Sequence, residues 1–270
     1  MVVLRSPVRF RFTACNPEKV TSRGIFDNMR IYTDDPTNEY VRDMAGRLIC
    51  GITDKESDIA EDELHIRYVA GTLSLVKGSL TLTGELESRR RLSKANLEKE
   101  LVVKACRIRN HEGSIRVVDA TAGLGEDSIL LAAAGFDVRM IEYNPVICEL
   151  LKDSMKRAAD SMSGVISRMS LSAGDSIEVL PTYEGWADVV YLDPMFPKRN
   201  KSSLIKKKFQ LLHNLESPCA SEHELLEAGL AAKPKKIVIK RPLKGPYLDG
   251  VKPDYSYTGK AIRFDCIIPR

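Results

Sequence analysis

The chain has 270 residues, enough for one large domain or for a catalytic domain with a smaller companion. Hydrophobic residues make up 43% and charged residues 29%, a balance typical of globular proteins in water. No apolar run approaches the roughly 20 residues that span a bilayer, and the first residues lack the apolar stretch of a signal peptide. We therefore expect a cytoplasmic protein.

The six cysteines are scattered and form no Cys-x-x-Cys pair, which argues against a zinc site and against a disulfide framework. We predict no bound metal. The formal net charge is only +4, but residues 193–270 carry 16 Lys and Arg against 8 Asp and Glu. A basic C-terminal third favours a polyanionic partner, such as a nucleic acid.

Residues 1–90 are predicted to form a β-rich region. Three segments, Val8–Phe12, Leu64–Val69 and Leu80–Thr83, alternate apolar and polar residues with the period of a strand. Glycines between the later segments are typical of turns. No catalytic grouping is visible in this region, and we hypothesise that it docks RNA.

Residues 91–270 are predicted to form a second domain with a different rhythm. Residues 93–109 have the apolar spacing of a helix, with Ser93 as its N-cap. Strands are then predicted at Ile115–Asp119, Val138–Glu142, Ala187–Asp193 and Lys236–Lys240, and helices at Asp127–Ala134 and Pro145–Ala159. This alternation predicts an α/β fold in which helices cover both faces of a parallel sheet. Ligands of such sheets bind beyond the carboxyl ends of the strands.

The first motif at that edge is a glycine-rich turn between a strand and a helix, in the segment Asp119–Asp127. Gly123 and Gly125 allow the backbone to turn sharply and to approach a ligand closely. The same spacing nearly fits the fingerprint of a dinucleotide-binding protein, so the glycines alone leave the ligand open.

Two acidic residues add to this motif. Glu142 ends the next predicted strand, where a carboxylate can accept both ribose hydroxyls of an adenosine ligand. Asp175 is expected to end another strand and to accept a hydrogen bond from the adenine amino group. The three features together favour an adenosine-containing ligand.

The sharpest motif is Tyr191–Pro197, in which an apolar strand ends in Asp193-Pro194 and Phe196 follows. It resembles the (D/N)PP(Y/F) motif of methyltransferases that act on exocyclic amino groups. Such an amine is a poor nucleophile because its lone pair is delocalised into the ring. The Asp193 carboxylate and the Pro194 carbonyl can accept hydrogen bonds from its N–H groups. These bonds orient the nitrogen lone pair toward a methyl donor. Phe196 can stack on the base.

These motifs resemble the bacterial small-subunit rRNA guanine-N2 methyltransferase family known as RsmJ. The resemblance is carried by Val117–Gly125 and Tyr191–Pro197, with support from Glu142–Pro145, Lys240–Pro242 and Lys260–Asp265. It covers about residues 115–270. It implies a class I methyltransferase fold, Rossmann-like, with a mostly parallel seven-stranded sheet. It also implies S-adenosylmethionine as methyl donor and N2 of a guanine in 16S rRNA as target, so rRNA or the small ribosomal subunit is the expected partner.

The resemblance also implies roles for individual positions. Glu142 holds the donor ribose, and Asp193 contacts the target amine beside the donor. The donor is lined by Asp119, Ala120, Gly123 and Gly125.

Substrate contacts are predicted from basic residues near the Asp193 motif. Six of the eleven residues in Lys198–Lys208 are basic and none is acidic. We expect such a segment to contact RNA phosphates. The residues proposed for this role are Lys198, Arg199 and Lys201. Lys240 and Arg241 follow another buried strand and are predicted to bind RNA or the donor carboxylate.

Three alternatives remain open from the sequence. The Asp193 chemistry would also serve adenine N6 or a protein glutamine as target. An NAD-dependent oxidoreductase is suggested by the glycine spacing and Glu142, but it does not explain the Asp193 motif. A non-catalytic RNA-binding or assembly factor would not require that motif either. The oligomeric state is not predicted.

Overall fold

The structure is a computed structural model that describes residues 29–89, 93–194, 211, 215 and 221–270. The predicted strand Val8–Phe12 lies outside these residues. Over the described part of the chain, no helix is long and apolar enough to cross a membrane.

The larger of two sheets has seven strands. They are β6 (Arg116–Asp119), β7 (Asp137–Glu142), β8 (Met169–Ala173), β9 (Val189–Leu192), β10 (Lys236–Pro242), β11 (Tyr255–Thr258) and β12 (Ile262–Ile267). Their order is β11-β12-β10-β9-β6-β7-β8. The five strands from β10 to β8 are parallel, whereas β12 pairs antiparallel with both β10 and β11. The predicted α/β fold with a mostly parallel seven-stranded sheet is confirmed.

Helices cover both faces of this sheet. The described helices are α1 (Glu39–Leu48), α2 (Lys94–Leu97), α3 (Leu101–Cys106), α4 (Glu126–Ala133), α5 (Pro145–Ala158), α6 (Ser163–Ile166), α7 (Ser176–Val179) and α8 (Glu222–Ala231). Val117 and Tyr191 pack into the core formed with α3 to α6. Val118 and Val190 pack into the core on the side of α8. The alternation follows because successive strand residues point to opposite faces, and burial on both faces makes these strands apolar throughout.

The predicted single helix at 93–109 is wrong in one respect. Two short helices, α2 and α3, replace it, because Glu100 adopts an extended backbone with φ −62° and ψ 131°. Ser93 is an N-cap as expected, and its hydroxyl accepts a hydrogen bond from the Asn96 amide at 3.3 Å. The apolar positions of both helices face one core, so their spacing carried no sign of the break.

Residues 30–83 contain a separate five-stranded sheet. Its strands are β1 (Arg30–Thr33), β2 (Gly51–Thr53), β3 (His65–Val69), β4 (Thr72–Lys77) and β5 (Leu80–Thr83), in the order β2-β1-β3-β4-β5. The pairs β1–β2 and β1–β3 are parallel, and β3–β4 and β4–β5 are antiparallel. The β-rich character matches the prediction, but α1 was missed. This helix begins at the N-cap Asn38, whose side chain accepts from the Val41 amide.

The N-terminal sheet is packed directly on α5. Its core includes Val146, Ile147 and Leu150 of that helix. Arg47 forms a two-pronged ion pair with Glu149 at 2.9 and 3.0 Å. The two sheets therefore share α5 as a common wall, while the boundary proposed near residue 90 stays a prediction.

Candidate active site at the carboxyl edge of the large sheet

Four parallel strands deliver the predicted site residues to one edge. Asp119 and Glu142 are the last residues of β6 and β7, Asp193 follows β9 directly, and Lys240 lies in the last part of β10. Because these strands are parallel, their carboxyl ends lie together. The structure thus brings together residues that are up to 121 positions apart in the chain.

The glycine loop between β6 and α4 is fastened to the neighbouring strands. The Ala120 amide donates to the Tyr191 carbonyl at 3.0 Å, and the Ala122 amide donates to the Ile141 carbonyl at 3.1 Å. Gly123 and Gly125 both have positive φ, 53° and 74°. A Cβ atom on Gly123 would meet nothing within 4 Å, whereas one on Gly125 would lie 2.8 Å from a Leu151 methyl. Gly123 therefore borders open space, and Gly125 is required for packing.

Glu142 is buried at the end of β7, with 6% of its surface exposed. One carboxylate oxygen accepts from the Gly123 amide at 2.7 Å, and the other accepts from the Asn144 amide at 2.8 Å. Burial raises the pKa of this carboxyl, and the backbone amides oppose that rise. The Tyr143 backbone amide also interacts with this carboxylate, which has about four acceptor positions and so retains acceptor capacity. The side chain is thus a fixed pair of acceptors beside the open space at Gly123.

Asp175 lies two residues beyond β8 rather than at its end. It is the N-cap of α7, and its carboxylate accepts from the Ile177 amide at 2.9 Å. β8 is the neighbour of β7, so Asp175 lies at the same edge as Glu142. Its predicted contact with adenine stays a prediction.

Asp119 lies beneath the glycine loop, 2% exposed. Its carboxylate accepts from the Thr121 amide at 3.1 Å and from the Ser128 hydroxyl at 2.5 Å. Burial raises the pKa of Asp119 to about 7, because the charged form loses its hydration. These bonds show that Asp119 shapes the loop; the predicted contact with the donor stays a prediction.

Asp193 is held at two points. Its backbone amide donates to the Thr121 hydroxyl at 2.6 Å, which joins it to the glycine loop. Its carboxylate lies 2.9 Å from the Lys240 ammonium. Pro194 is buried next to it. Phe196, Lys198, Arg199 and Lys201 lie outside the described residues, so their predicted roles are not placed by the structure.

Asp127 is a member of this site that sequence reasoning missed. Its carboxylate is 2.7 Å from the Lys240 ammonium and accepts from the Tyr191 hydroxyl at 2.6 Å. Burial lowers the pKa of Lys240, but Asp193 and Asp127 more than compensate, and the net shift is upward. An acidic residue in the first turn after a glycine loop was the available signal, and it was attributed to the helix alone.

Arg241, predicted to bind RNA or the donor carboxylate, is buried on the opposite face of β10 from Lys240, and its role stays a prediction. Its side chain is 0% exposed, and it pairs with Glu222 at 3.2 Å and donates to the Pro246 carbonyl at 2.8 Å. The reason is the period of the strand, because neighbours on β10 point to opposite faces. Lys240 faces α4 and Asp193, whereas Arg241 faces the N-terminal end of α8.

The residues at this edge fit S-adenosylmethionine. An adenosyl ligand needs paired acceptors for its ribose hydroxyls and a close backbone for its amino acid part. Glu142 supplies the first, and the loop at Gly123 supplies the second with open space above it. Over the described residues, no group of three or more His, Cys, Asp or Glu is placed to hold a metal ion.

The sheet order, the glycine loop and the Asp193-Pro194 turn together define a class I S-adenosylmethionine-dependent methyltransferase. Comparison with protein families agrees, since residues 74–269 match the model described as "Putative SAM-dependent methyltransferase". The chain belongs to this family, and its cofactor is S-adenosylmethionine. The alternative interpretation, in which the glycine loop binds NAD, is therefore rejected.

The solved structures include a close match in fold. The crystal structure of a SAM-dependent methyltransferase from Neisseria gonorrhoeae superimposes with a TM-score of 0.68 at 30% identity. The match covers 89% of this chain and 96% of that one. The uncovered share is smaller than residues 30–83, so at least part of the N-terminal sheet region belongs to the shared architecture.

Curated relatives carry the name "Ribosomal RNA small subunit methyltransferase J". The protein of that name from Pseudomonas paraeruginosa is 44% identical over 153 residues, which are 56% of this chain and 59% of the relative. The one from Hahella chejuensis is 44% identical over 169 residues, covering 62% and 63%. These matches thus span about three fifths of the relatives' length. The family resemblance drawn from the two motifs is confirmed.

Proposed function

We propose that this protein transfers a methyl group from S-adenosylmethionine to the exocyclic N2 of a guanine in small-subunit rRNA. The observation that carries the proposal is the Asp193-Pro194 turn, fastened by Thr121 to the glycine loop of a SAM-dependent methyltransferase. The names of the relatives support rRNA as the substrate class. The choice of guanine N2 rests on the motif resemblance.

The residues at the edge divide the work between donor and acceptor. S-adenosylmethionine supplies an electrophilic methyl group on a sulfonium sulfur. Glu142 accepts the ribose hydroxyls, and the loop at Gly123 gives the backbone close access. Asp175 is proposed to accept from the adenine amino group. These residues would hold the donor at the carboxyl edge of the sheet.

Asp193 and Pro194 prepare the nucleophile. The carboxylate of Asp193 and the carbonyl of Pro194 each accept a hydrogen bond from one N–H of the amine. These bonds favour a tetrahedral geometry at the nitrogen. Its lone pair then lies in line with the carbon–sulfur bond that breaks as the carbon–nitrogen bond forms. The product nitrogen loses one proton, for which the Asp193 carboxylate is the adjacent acceptor. Pro194 has no N–H that would compete for these acceptors.

The substrate is proposed to be held through its phosphates by Lys198, Arg199 and Lys201. A segment with six basic residues in eleven directly after the catalytic turn supports this role. Replacing the three with glutamine should weaken RNA binding and flatten its salt dependence by up to about one unit of log–log slope per lost contact. Unchanged affinity and slope would contradict it.

The decisive experiment is methyl transfer from labelled S-adenosylmethionine to 16S rRNA or 30S subunits from a strain that lacks this gene. We expect N2-methylguanine at one position by mass mapping. Asp193→Asn should lower the rate by about 10²- to 10³-fold, as for loss of one transition-state hydrogen-bond partner.

The matched control is Asp137→Asn. Asp137 is also an aspartate in a 2.9 Å ion pair, with 42% side-chain exposure against 37% for Asp193, but it lies at the opposite edge of the sheet. It should transfer methyl groups at the wild-type rate. Methylation of adenine N6 or of a protein glutamine instead of guanine would replace the proposed target, and transfer that survives Asp193→Asn would refute the role of Asp193.

A further inference from the structure

Lys240 joins two carboxylates from different elements. Its ammonium lies 2.9 Å from Asp193 beyond β9 and 2.7 Å from Asp127 in the first turn of α4. Tyr191 donates to the same Asp127 oxygen at 2.6 Å. The chain of contacts runs Tyr191–Asp127–Lys240–Asp193, and only its last member belongs to the catalytic turn.

These contacts fix the orientation of the Asp193 carboxylate. The backbone amide of Asp193 is bonded to Thr121, and one carboxylate oxygen is bonded to Lys240. A carboxylate is planar and rigid, so holding the residue at these two points also determines where its second oxygen lies. A misplacement of about 1 Å at such a group can cost about a hundredfold in rate.

The pairing also limits the role expected for Lys240 from the sequence, which stays a prediction. Its side chain is 24% exposed, and two carboxylates already lie within hydrogen-bond distance. An ammonium has three donors, so at most one N–H is left for an RNA phosphate or the donor carboxylate. Asp119 on β6 interacts electrostatically with both Asp193 and Asp127, and Lys240 on β10 is paired with those two carboxylates.

We propose that Lys240 is a positioning residue that aligns the Asp193 carboxylate with the target amine, and that Asp127 and Tyr191 hold the lysine in place. The proposal rests on the proposed function, because it assigns Asp193 to the acceptor amine. It assigns a role to three residues outside the catalytic turn.

The kinetic test compares Lys240→Met and Lys240→Arg in the full chain. We expect Lys240→Met to lower kcat for rRNA methylation by about 10²-fold with little change in KM for either substrate. Lys240→Arg, which keeps the charge and the donors, should recover part of that loss. Asp127→Asn should lower kcat by a smaller factor, because the lysine keeps Asp193 as a partner.

Two other kinetic outcomes would overturn the proposal. A phosphate contact would appear as weaker RNA binding and a salt slope lower by about one in Lys240→Met, with kcat preserved. A donor contact would appear as weaker S-adenosylmethionine binding by calorimetry. An unchanged kcat would overturn it as well.

A second measurement needs no substrate. Carbon NMR of aspartate carboxyl groups follows the titration of Asp193, whose signal is identified by its loss in Asp193→Asn. In Lys240→Met that titration should move to higher pH by about one unit or more, because an ammonium within 4 Å favours the charged carboxylate. Equal titration in both proteins would overturn the proposal.

The matched control for both measurements is Lys235→Met. Lys235 is a lysine 3.1 Å from the buried Asp188, just before the other end of β10. It should leave kcat and the Asp193 titration at their wild-type values. If the wild-type protein methylates no rRNA, the proposed function fails, and the NMR comparison still decides whether Lys240 controls Asp193.

Discussion

The pKa values of buried aspartates are shifted in opposite directions at the two edges of the large sheet. At the amino edge, Asp188 just before β9 is 1% exposed and is paired with two cations and a histidine. It accepts from the backbone and side chain of Arg116, both at 3.0 Å, and pairs with His111 at 3.2 Å and Lys235 at 3.1 Å. Although burial raises the pKa of Asp188, these partners outweigh it, and the net shift is strongly downward.

At the carboxyl edge, two aspartates share one lysine, and a third lies close to them without contacting it. Asp127 and Asp193 bind Lys240, whereas Asp119 has only hydroxyl and amide donors. Burial therefore prevails at Asp119 and raises its pKa to about 7. Asp188 at the amino edge is paired with several basic groups, whereas Asp119 at the carboxyl edge has no basic partner among the described residues.

The position of a cavity does not identify the edge of the sheet that carries the methyltransferase motifs. A cavity of about 530 Å³ opens at the amino edge, lined in part by His111, Arg116, Asp188 and Lys235. The residues of the methyltransferase motifs all lie at the other edge. This cavity therefore does not coincide with the motif residues, which lie at the carboxyl ends of the strands.

The largest expected effect is a pH dependence of stability set by Asp119. A carboxyl whose pKa is raised by folding stabilises the folded state below its ordinary pKa near 4, and this is lost as pH rises toward 7. The loss amounts to at most about 4 kcal/mol. Chemical denaturation of the protein without ligands should show stability relative to Asp119→Asn falling between pH 4 and 7. A difference that stays constant with pH would contradict the raised pKa.

Asp188→Asn should reveal the opposite sign. Its carboxylate, with a lowered pKa, stabilises the fold above pH 4, and the contribution is lost as pH falls below that value. Near neutral pH the variant should lose about 3 kcal/mol, because several cations lose their shared anion. The deficit should shrink toward pH 2 in denaturant titrations, with S-adenosylmethionine affinity unchanged at pH 7. Equal stability of both proteins at pH 7 would refute a stabilising role for the Asp188 ion pairs.

The two loop glycines offer an internal comparison within the carboxyl edge. Gly125→Ala should cost about 3 kcal/mol of stability, since it combines positive φ with a 2.8 Å overlap against Leu151. Gly123→Ala should cost about 1 kcal/mol, because it has the strain without the overlap. Thermal unfolding measures both. Donor binding by calorimetry should weaken in Gly123→Ala, where the methyl enters the open space, and undiminished affinity there would place the donor elsewhere.

The smallest effect is expected for Lys235→Met. The lysine side chain is 61% exposed, and Asp188 keeps Arg116 and His111 as partners. The stability loss should be below about 1 kcal/mol, the range of exposed ion pairs. A loss comparable to that of Asp188→Asn in the same denaturation assay would mean that the cluster depends on every member.

Much of the fold followed from apolar patterning. The predicted strands β6, β7, β9 and β10 agree with the structure within two residues at each end, because buried parallel strands are short apolar runs. The breakdown of 93–109 into two helices did not follow, since both helices bury the same kind of residue. Helix α1 was missed because the strand-like segments around it dominated the pattern.

For the site, only the residues at the ends of predicted strands could be placed from the sequence. Asp119, Glu142 and Asp193 were placed at one edge by counting strands. The partners of Lys240 were not, because the contact with Asp127 depends on the direction of a side chain across two elements. The burial of Arg241 was not predicted for the same reason, because neighbouring residues on a strand point to opposite faces. Sequence patterns therefore predict which residues lie along the edge of the sheet. Which side chains pair with each other depends on the three-dimensional structure.

Helix α5 has a practical consequence for fragment design. One side of it packs Leu151 and Met155 against the large sheet, and the other side carries Val146, Ile147 and Leu150 into the N-terminal core. A fragment beginning near residue 93 would expose that second apolar side to water and would aggregate rather than yield a minimal catalyst. Residues 29–89 are thus no detachable accessory, and mutational screens of the methyltransferase should count them as part of its interior.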